Sequence, residues 1–422
     1  MSSIRLVTFP FLVSTLLASC VIDEDVEAGE DGENDSFPSG KADGGIDANS
    51  VEAAGVLALV NDQWIDADLL VTDAGLARRA ARNIIAHRDG ADGTFGTADD
   101  NLFDTLAELD AVLYVGPVTL NKLVGYAEGH GYVQRWSNRA SMSTERTYFG
   151  AVRGADGRIY AVGGTGTVTM EAYAPSTNTW AQLAEMPTPR YGHAVAIGAD
   201  GKIYAIGGYN TIGDRAYHAT VEAYTPSTNT WETLAPMPTA RALHSAVTGP
   251  DGRIYVIGGY NEQRGTLRTV EVYTPSTNTW ATAASMPSAR YTLATAVGDD
   301  GNIYAFGGTI NNESQATVEA YNPTTNTWST LDKMFTPRTG LAAVTAKDGL
   351  IYLIGGDDGR SIFPLTTVLT FKASTKAWSG VQSNLVGRSH LAAAEGADGK
   401  LYVLGGYEPI NGAMATVEAY TR

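Results

Sequence analysis

One pattern repeats six times between residue 146 and the C-terminus, and it constrains the fold of this 422-residue chain more than any other feature. Each copy starts with arginine and continues through small residues, an Asp-Gly step and an apolar strand to a Gly-Gly pair. Successive pairs are 44, 51, 49, 48 and 50 residues apart. A regular period of this length indicates stacked units that bury their apolar faces against each other. The pairs are Gly163/Gly164, Gly207/Gly208, Gly258/Gly259, Gly307/Gly308, Gly355/Gly356 and Gly405/Gly406.

Each repeat is predicted to contain four antiparallel strands, here named a to d. Asp-Gly favours the tight turn between strands a and b, because glycine supplies the positive φ that such turns need. Strand b ends at the Gly-Gly pair, strand c reads Thr-Val-Glu-Ala-Tyr in its commonest form, and strand d carries Trp. The Asp-Gly steps are Asp156/Gly157, Asp200/Gly201, Asp251/Gly252, Asp300/Gly301, Asp348/Gly349 and Asp398/Gly399.

These Gly-Gly, Tyr and Trp marks resemble the blades of kelch propellers, which implies a mainly β, six-bladed propeller over residues 132–422. The aromatic residue of strand c and the Trp of strand d act as spacers between blades in that fold. The last repeat ends at Arg422 without a strand d, whereas a strand-like segment around Trp136 precedes the first repeat. We therefore expect residues 132–137 to complete the last blade and close the ring, since an open ring would leave exposed edges.

The N-terminus resembles the signal peptide of a bacterial lipoprotein. An apolar run from Leu6 to Ala18 follows Arg5, and Leu-Ala-Ser directly precedes Cys20, the only cysteine of the chain. The resemblance implies a signal peptide at 1–19, lipidation of Cys20 and, with Val21 after the cysteine, an outer-membrane address facing either the periplasm or the cell surface. An ordinary secretion signal or an N-terminal membrane helix is the alternative, but the run is short for a membrane span.

The acidic charge lies in the N-terminal third. The formal net charge is −17, of which residues 1–50 and residues 51–133 contribute −8 each, whereas residues 134–422 contribute −1. Residues 20–50 are acidic and poor in large apolar side chains, so we expect a disordered tether. No segment has the basic excess typical of nucleic-acid binding.

Residues 51–131 are predicted to form a small all-α domain. Apolar residues recur at helical spacing in 51–60 and 76–87, and a second unit covers 105–127 with a turn at Gly116-Pro117. The two units resemble tandem helix-hairpin-helix motifs, whose paired glycines approach DNA phosphates. Asp73 and Tyr114 stand where the first glycine of each pair would be, and only Gly75 and Gly116 match. We therefore expect a protein-contact or spacer role and no DNA binding.

An acidic, glycine-rich loop joins the two helical units. Its carboxylates could wrap a calcium ion, since Ca²⁺ prefers oxygen ligands. The loop lacks the closing glutamate of an EF-hand, and the alternative is that aspartate and glycine simply form turns. The candidate ligands are Asp89, Asp92, Asp99 and Asp100.

One arginine opens every repeat, in the connection from strand d to the next strand a. Because strands alternate in direction, the d–a and b–c connections share one face, which we call the loop face. Guanidinium groups bind carboxylates well, and in some kelch domains arginines at this position hold acidic peptides. The sequence thus predicts an acidic ligand or protein on this face, with hydrogen bonds from arginine to backbone carbonyls as the alternative. The arginines are Arg146, Arg190, Arg241, Arg290, Arg338 and Arg388.

Catalysis finds less support in the sequence. His193, His244 and His390 follow three of the arginines, where they could line the channel or simply pack. Copper-radical oxidases with kelch propellers need a Tyr–Cys crosslink, which Cys20 cannot supply. The alternative is an epimerase of the sialic-acid mutarotase type, but the inner strands offer little carboxylate for acid–base work. The sequence therefore predicts a monomeric, non-catalytic binding or scaffold module without a cofactor, anchored to a membrane.

Overall fold

The computed structural model describes residues 46–48, 50–133, 135–164, 167–210, 216–383 and 386–422. The signal peptide, Cys20 and nearly all of the predicted tether lie outside these residues. The chain divides into two compact units, of which the first ends at His130 and the second covers Gly131–Arg422. Within the described ranges, no helix is both long and apolar enough to cross a bilayer.

The first unit holds five helices in its described part, in agreement with a small helical region before the propeller. Three of them begin at side chains that accept a hydrogen bond from the first helical turn, namely Ser50, Asp66 and Thr105. The apolar side chains of the helices are buried, among them Leu59, Leu70 and residues of the later helices. The helices are α1 Val51–Val60, α2 Ala67–Thr72, α3 Arg78–Arg88, α4 Leu106–Asp110 and α5 Pro117–Gly129.

The second unit is a propeller of six four-stranded antiparallel sheets, which confirms the predicted fold class. We number the blades 1 to 6 in the order of their Gly-Gly pairs. The innermost strands a are Gly150–Arg153, Ala194–Ile197, Ser245–Thr248, Ala294–Val297, Ala342–Thr345 and Ala392–Glu395. Strands b are Ile159–Val162, Ile203–Ile206, Ile254–Ile257, Ile303–Phe306, Leu350–Ile354 and Leu401–Leu404.

The outer half of each blade consists of strands c and d. Strands c are Met170–Ala174, Val221–Thr225, Val270–Thr274, Val318–Asn322, Val368–Lys372 and Val417–Tyr420. Strands d are Thr179–Gln182, Thr230–Leu234, Thr279–Ala283, Thr327–Thr330, Ala377–Val381 and, in blade 6, Trp136–Arg139. Three b–c connections form small hairpins, Tyr260–Asn261 with Gly265–Thr266, Thr309–Ile310 with Glu313–Ser314, and Tyr407–Glu408 with Gly412–Ala413.

Blade 6 is completed by the strand that precedes the repeats. Trp136 pairs with Tyr420 and Arg139 with Val417, so this strand starts four residues later than the predicted 132–137 segment. The register explains the difference, because Trp136 pairs with Tyr420 as Trp180 pairs with Tyr173 in blade 1. The strand therefore occupies the same place as every other strand d.

Tryptophan joins neighbouring blades at the outer edge. The indole N–H of Trp180 donates to the carbonyl of Ala140 at 2.7 Å, just after the last strand of blade 6. Equivalent bonds of 2.8–2.9 Å link the indoles of Trp231, Trp280 and Trp328 to the preceding blade. The repeated tryptophan thus separates neighbouring blades with its apolar ring and links them through its N–H hydrogen bond.

The Gly-Gly pair is required at a point where the backbone is crowded. Gly207 and Gly208 have φ of +63° and +104°, and all six pairs share this geometry. A Cβ on Gly207 would lie 2.7 Å from the carbonyl oxygen of Arg241. Both the left-handed backbone and the missing space exclude larger residues here.

We expect Gly207→Ala to lower the free energy of unfolding by about 3 kcal/mol, since it adds a backbone clash to an unfavourable φ. Gly201→Ala is the matched control, because Gly201 has φ +78° but a Cβ added there would meet no atom within 4 Å. The control should lose only about 1 kcal/mol. Chemical denaturation of both variants measures the difference, and equal losses would show that crowding contributes nothing.

Candidate functional site

The six repeated arginines lie inside the blades and not on the loop face. Their relative exposure is 0–1%. In every blade one terminal nitrogen donates both to the carbonyl of the first glycine of the Gly-Gly pair and to the carbonyl of the threonine that precedes strand c. In blade 1 these Arg146 bonds are 2.6 Å to Gly163 and 2.9 Å to Thr169. The other five are Arg190, Arg241, Arg290, Arg338 and Arg388.

This placement corrects the predicted ligand-binding role of the six arginines. Their donors are used by carbonyls at the end of strand b and the start of strand c, where the two strands separate. In five blades the threonine carbonyl also accepts from the N–H of the first glycine, whereas the carbonyl of that glycine accepts from no backbone N–H among the described residues. The guanidinium groups therefore hold each blade together and present no positive face to an acidic ligand. The structure matches the alternative, in which each arginine donates hydrogen bonds to backbone carbonyls.

A glutamate in strand c neutralises five of the arginines. The Arg146–Glu171, Arg241–Glu271 and Arg290–Glu319 pairs measure 2.7, 3.0 and 2.8 Å, and Arg190–Glu222 and Arg388–Glu418 make the same contact. Burial lowers the pKa of these arginines, and the glutamate opposes that shift. Sequence reasoning missed this pair although its signal was present, since Glu occupies the same position of strand c in those five repeats.

Blade 5 lacks the acidic partner. Leu369 occupies the glutamate position, and within the described part of the chain Arg338 donates hydrogen bonds only to Gly355 and Thr367. Burial lowers the pKa of Arg338 to about 10, and Asp358 opposes the shift only through its charge. A buried guanidinium without a carboxylate is costly, so blade 5 is the least well neutralised of the six.

Six backbone hydrogen bonds form a ring around the channel, where the chain enters strand a of each blade. The second residue after each arginine donates its N–H to the carbonyl of the equivalent residue in the preceding blade, at 2.6–3.1 Å. All six have φ between +51° and +61°, although only two are glycines. In chain order the ring residues are Tyr148, Gly192, Leu243, Thr292, Gly340 and His390.

In five blades the third residue after the arginine packs against the first glycine of the preceding blade's pair. Phenylalanine or leucine fills this position in four blades, and His193 and His244 fill it in blades 2 and 3. Their exposure is 5% and 6%, and neither nitrogen of either ring makes a hydrogen bond within the described residues. The apolar occupants are Phe149, Leu293, Leu341 and Leu391.

These residues and the ring line a cavity of about 100 Å³ at the channel mouth. Burial and the charge of Arg190 lower the pKa of His193 to about 3, and burial lowers that of His244 well below its usual value. Burial also lowers the pKa of His390 to about 4, and this ring packs at a tilt of 34° against Tyr148, with centroids 3.9 Å apart. All three imidazoles are therefore neutral at physiological pH. No carboxylate, lysine or arginine is among the described residues that line the cavity.

Half-buried tyrosines continue outward from the channel mouth across blades 1 to 4. Starting at Tyr148, each ring contacts the next with centroids 4.8–6.0 Å apart. The hydroxyl of Tyr291 donates to Asn312 at 3.1 Å. The arc consists of Tyr148, Tyr191, Tyr209, Tyr217, Tyr260 and Tyr291.

The exposed large apolar side chains complete this surface in blades 4 to 6. Within the described propeller residues, every such side chain lies in a d–a or b–c connection and none in an Asp-Gly or Asn-Thr turn. Phe335, Ile362 and Ile410 are 74–76% exposed. The others are Phe363, Val386 and Tyr407.

The calcium candidates of the helical unit use their carboxylates within the loop. Asp89 is buried and pairs with Arg88 at 2.6 Å. Asp92, Asp99 and Asp100 accept hydrogen bonds from backbone N–H groups of the loop. The described part of the chain brings no three metal-ligating side chains together. The arrangement matches the alternative, in which aspartate and glycine form turns.

We expect Leu369→Glu to raise the free energy of unfolding by about 1–3 kcal/mol, because it gives Arg338 the carboxylate that the other arginines have. The reverse change in blade 4, Glu319→Leu, is the matched control and should cost about 3–5 kcal/mol. Denaturant titration of both variants against the parent chain measures the effect. A destabilising Leu369→Glu would mean that blade 5 has repacked around its unpaired arginine.

Comparisons with known proteins agree with this architecture. Residues 189–238 match the Kelch motif, and residues 233–406 match the KLHDC2/KLHL20/DRC7 Kelch-repeats domain. No curated protein matches the chain. A solved structure described as "Structure of YjhT" superimposes with a TM-score of 0.58 at 18% identity, covering 66% of this chain and 95% of YjhT. At that identity the similarity concerns the fold alone. Within the six-bladed propeller, residues 189–406 therefore match kelch repeats.

Proposed function

We propose that the propeller is a protein-binding module that receives its partner on the loop face. The observation that carries this proposal is the one-sided distribution of exposed apolar side chains. Phe335, Ile362, Phe363 and Ile410 remain in water, whereas most large apolar side chains of the described propeller residues are buried or half-buried. Exposed apolar groups of this kind on a stable scaffold are typical of interaction sites.

The composition of the loop face supports a protein partner. Its tyrosine arc supplies large, rigid contact areas at a low entropic cost. Asparagine and serine in the connections, as in 309–315, supply short hydrogen-bonding groups. This combination of tyrosine with small polar residues is also that of antibody loops, which bind proteins without a deep pocket.

The rigid ring explains why variable loops can be used for recognition. Each b–c connection starts at the Gly-Gly pair, which the buried arginine fixes through its carbonyl bond. The b–c connections then differ in length and sequence from blade to blade. Specificity that is built on such loops leaves the packing of the blades unchanged.

We further propose that Cys20 anchors the module to the outer membrane as a lipoprotein. The support is the Leu-Ala-Ser-Cys sequence after a short apolar run, together with the acidic composition of residues 20–50. An acidic segment extends through self-repulsion and would hold the folded units away from an anionic membrane surface.

The anchor is tested by Cys20→Ser in the native host. The variant should lose incorporation of labelled palmitate and move from the membrane to the soluble envelope fraction. Ser19→Ala is the matched control and should keep both properties. Membrane retention of Cys20→Ser at the parental level would contradict lipid anchoring.

The binding face is tested by replacing Phe335, Ile362, Phe363 and Ile410 with serine. The partner is first identified with the parent chain carrying a photo-crosslinking residue at position 362. We then expect the amount of this partner captured by the serine variant to fall about tenfold or more, as for the loss of interface hot spots. Trp64→Ser with Val118→Ser is the control, because these side chains are 78% and 65% exposed in the helical unit. Equal capture by all variants, with unchanged melting, would place the interface elsewhere.

A further inference from the structure

Exposed apolar side chains and basic side chains meet on one side of the helical unit. Leu113, Tyr114 and Val118, at the turn from α4 to α5, are 63%, 53% and 65% exposed. Asn83 of α3 donates to the carbonyl of Leu113 at 2.8 Å. The guanidinium group of Arg79 lies 5.7 Å from the ring centroid of Tyr114. These contacts place the apolar turn beside the first half of α3.

The exposed lysine and arginine side chains of the described helical unit all lie around this turn. They are Arg78, Arg79, Arg82 and Lys122. The three arginines share the side of α3 that carries Asn83, since successive residues are about 100° apart around a helix. Lys122 of α5 donates to the carbonyl of Gly75 at 2.7 Å, three residues before α3 begins. We call the apolar turn and these four basic side chains the basic tip.

Most acidic side chains of the unit lie at the other end of α3. Arg88 donates to the carbonyls of Asp62 and Ile65, and its own carbonyl accepts from the N–H of Asn101. The segments 62–66 and 89–104 therefore surround this end. Asp73 and Asp110 are the acidic residues closest to the basic tip in the sequence, so four cations face two acids there. The acidic end carries Asp62, Asp66, Asp89, Asp92, Asp99, Asp100 and Asp104.

The length of α3 keeps the two sets of charges apart. From Arg78 to Arg88 the helix rises about 15 Å, whereas the Debye length at physiological ionic strength is about 8 Å. The acidic end therefore does little to cancel the positive charge of the basic tip, although residues 51–133 together carry a net charge of −8.

A lipid surface with anionic headgroups would use both parts of the basic tip. Lysine and arginine bind lipid phosphates and keep their charge at the level of the headgroups. Leucine, valine and tyrosine enter the boundary between headgroups and acyl chains. A nucleic acid would use the cations and leave Leu113 and Val118 in water, and an apolar protein groove would leave the cations without counter-charges.

We infer that the basic tip docks the helical unit on an anionic lipid surface. Leu113 and Val118 insert below the headgroups, and the four basic side chains bind the lipid phosphates. The acidic residues 20–50 oppose this approach by repulsion, so the docking depends on ionic strength. The inference goes beyond the protein-binding proposal, because it concerns a different unit of the chain, and it requires no lipid on Cys20.

The test uses the full chain with Cys20→Ser and Leu113→Cys, which leaves one cysteine for labelling with the environment-sensitive dye NBD. Vesicles of phosphatidylethanolamine with phosphatidylglycerol should raise the NBD emission and shift it to the blue, because the dye enters an apolar layer. Vesicles of phosphatidylcholine alone should give a signal that is smaller by about tenfold or more. Salt at about 1 M should remove the signal of the anionic vesicles, since the Debye length falls to about 3 Å.

The matched control places the cysteine at position 102 instead of 113. Leu102 is also an exposed leucine, at 46%, but it follows Asn101 at the acidic end of α3. A dye at this position should report no contact with the vesicles. Both labelled chains keep residues 1–19, so the apolar run there contributes equally to the two measurements.

Variants of the basic tip separate its charge from its shape. One basic residue near an anionic surface strengthens binding roughly fivefold, so Arg78→Gln/Arg82→Gln should lower the signal from position 113 about tenfold or more. Arg78→Lys/Arg82→Lys keeps both charges and should give the parental signal. Val118→Ser should also weaken the signal, and all three variants should melt like the parent chain, because these side chains are exposed.

Several results would overturn the inference. One is an equal signal from both kinds of vesicle, and another is an equal signal from positions 102 and 113. A mobility shift of duplex DNA, or a dimer that Val118→Ser dissociates, would assign the basic tip to a different occupant. The serine variant of the loop face should dock on vesicles like the parent chain, so the failure of one proposal leaves the other intact.

Discussion

The rest of the propeller depends on a single buried contact, the guanidinium group that bridges strands b and c of each blade. Where strand b ends, the chain turns away and leaves the carbonyl of the first glycine without a backbone N–H partner among the described residues. Arginine reaches this carbonyl from the connection that leads into the same blade, because the Gly-Gly pair leaves room, and Glu of strand c balances its charge in five blades. Loop geometry, glycine conformation and the acidic residue in an otherwise apolar strand follow from this one arrangement.

Repetition made the architecture predictable from the sequence. The Asp-Gly turns, the Tyr and Trp pairs and the closing strand around Trp136 could all be inferred, because each repeat supplied an independent copy of the same signal. The unmatched C-terminal repeat even indicated how the ring closes, with a difference of four residues at the start of the strand. Local chemistry and overall topology agree throughout the ring, as expected for a sequence that specifies one structure.

How deeply a side chain lies within a blade was harder to predict from the sequence. The topology placed the arginines in the connections of the loop face, but it could not show that their guanidinium groups point inward at 0–1% exposure. The glutamates that pair with the arginines are part of the strand c pattern, and that pattern by itself indicates only a strand. The ring of backbone hydrogen bonds at the channel mouth could hardly be predicted from the sequence. Four of its six residues, Tyr148, Leu243, Thr292 and His390, are not glycines, so their residue types do not indicate the positive φ that they adopt.

The closing strand also determines when the propeller can form. Ser137 and Ala419 meet in the same sheet although 282 residues separate them. Contacts between such distant segments must overcome a large loop-closure entropy and slow folding. A chain that emerges from its N-terminus therefore holds strand Trp136–Arg139 unpaired until all later blades exist. The propeller should gain its final stability in one late step, and a partly synthesised ring would present an open edge to chaperones or to other chains.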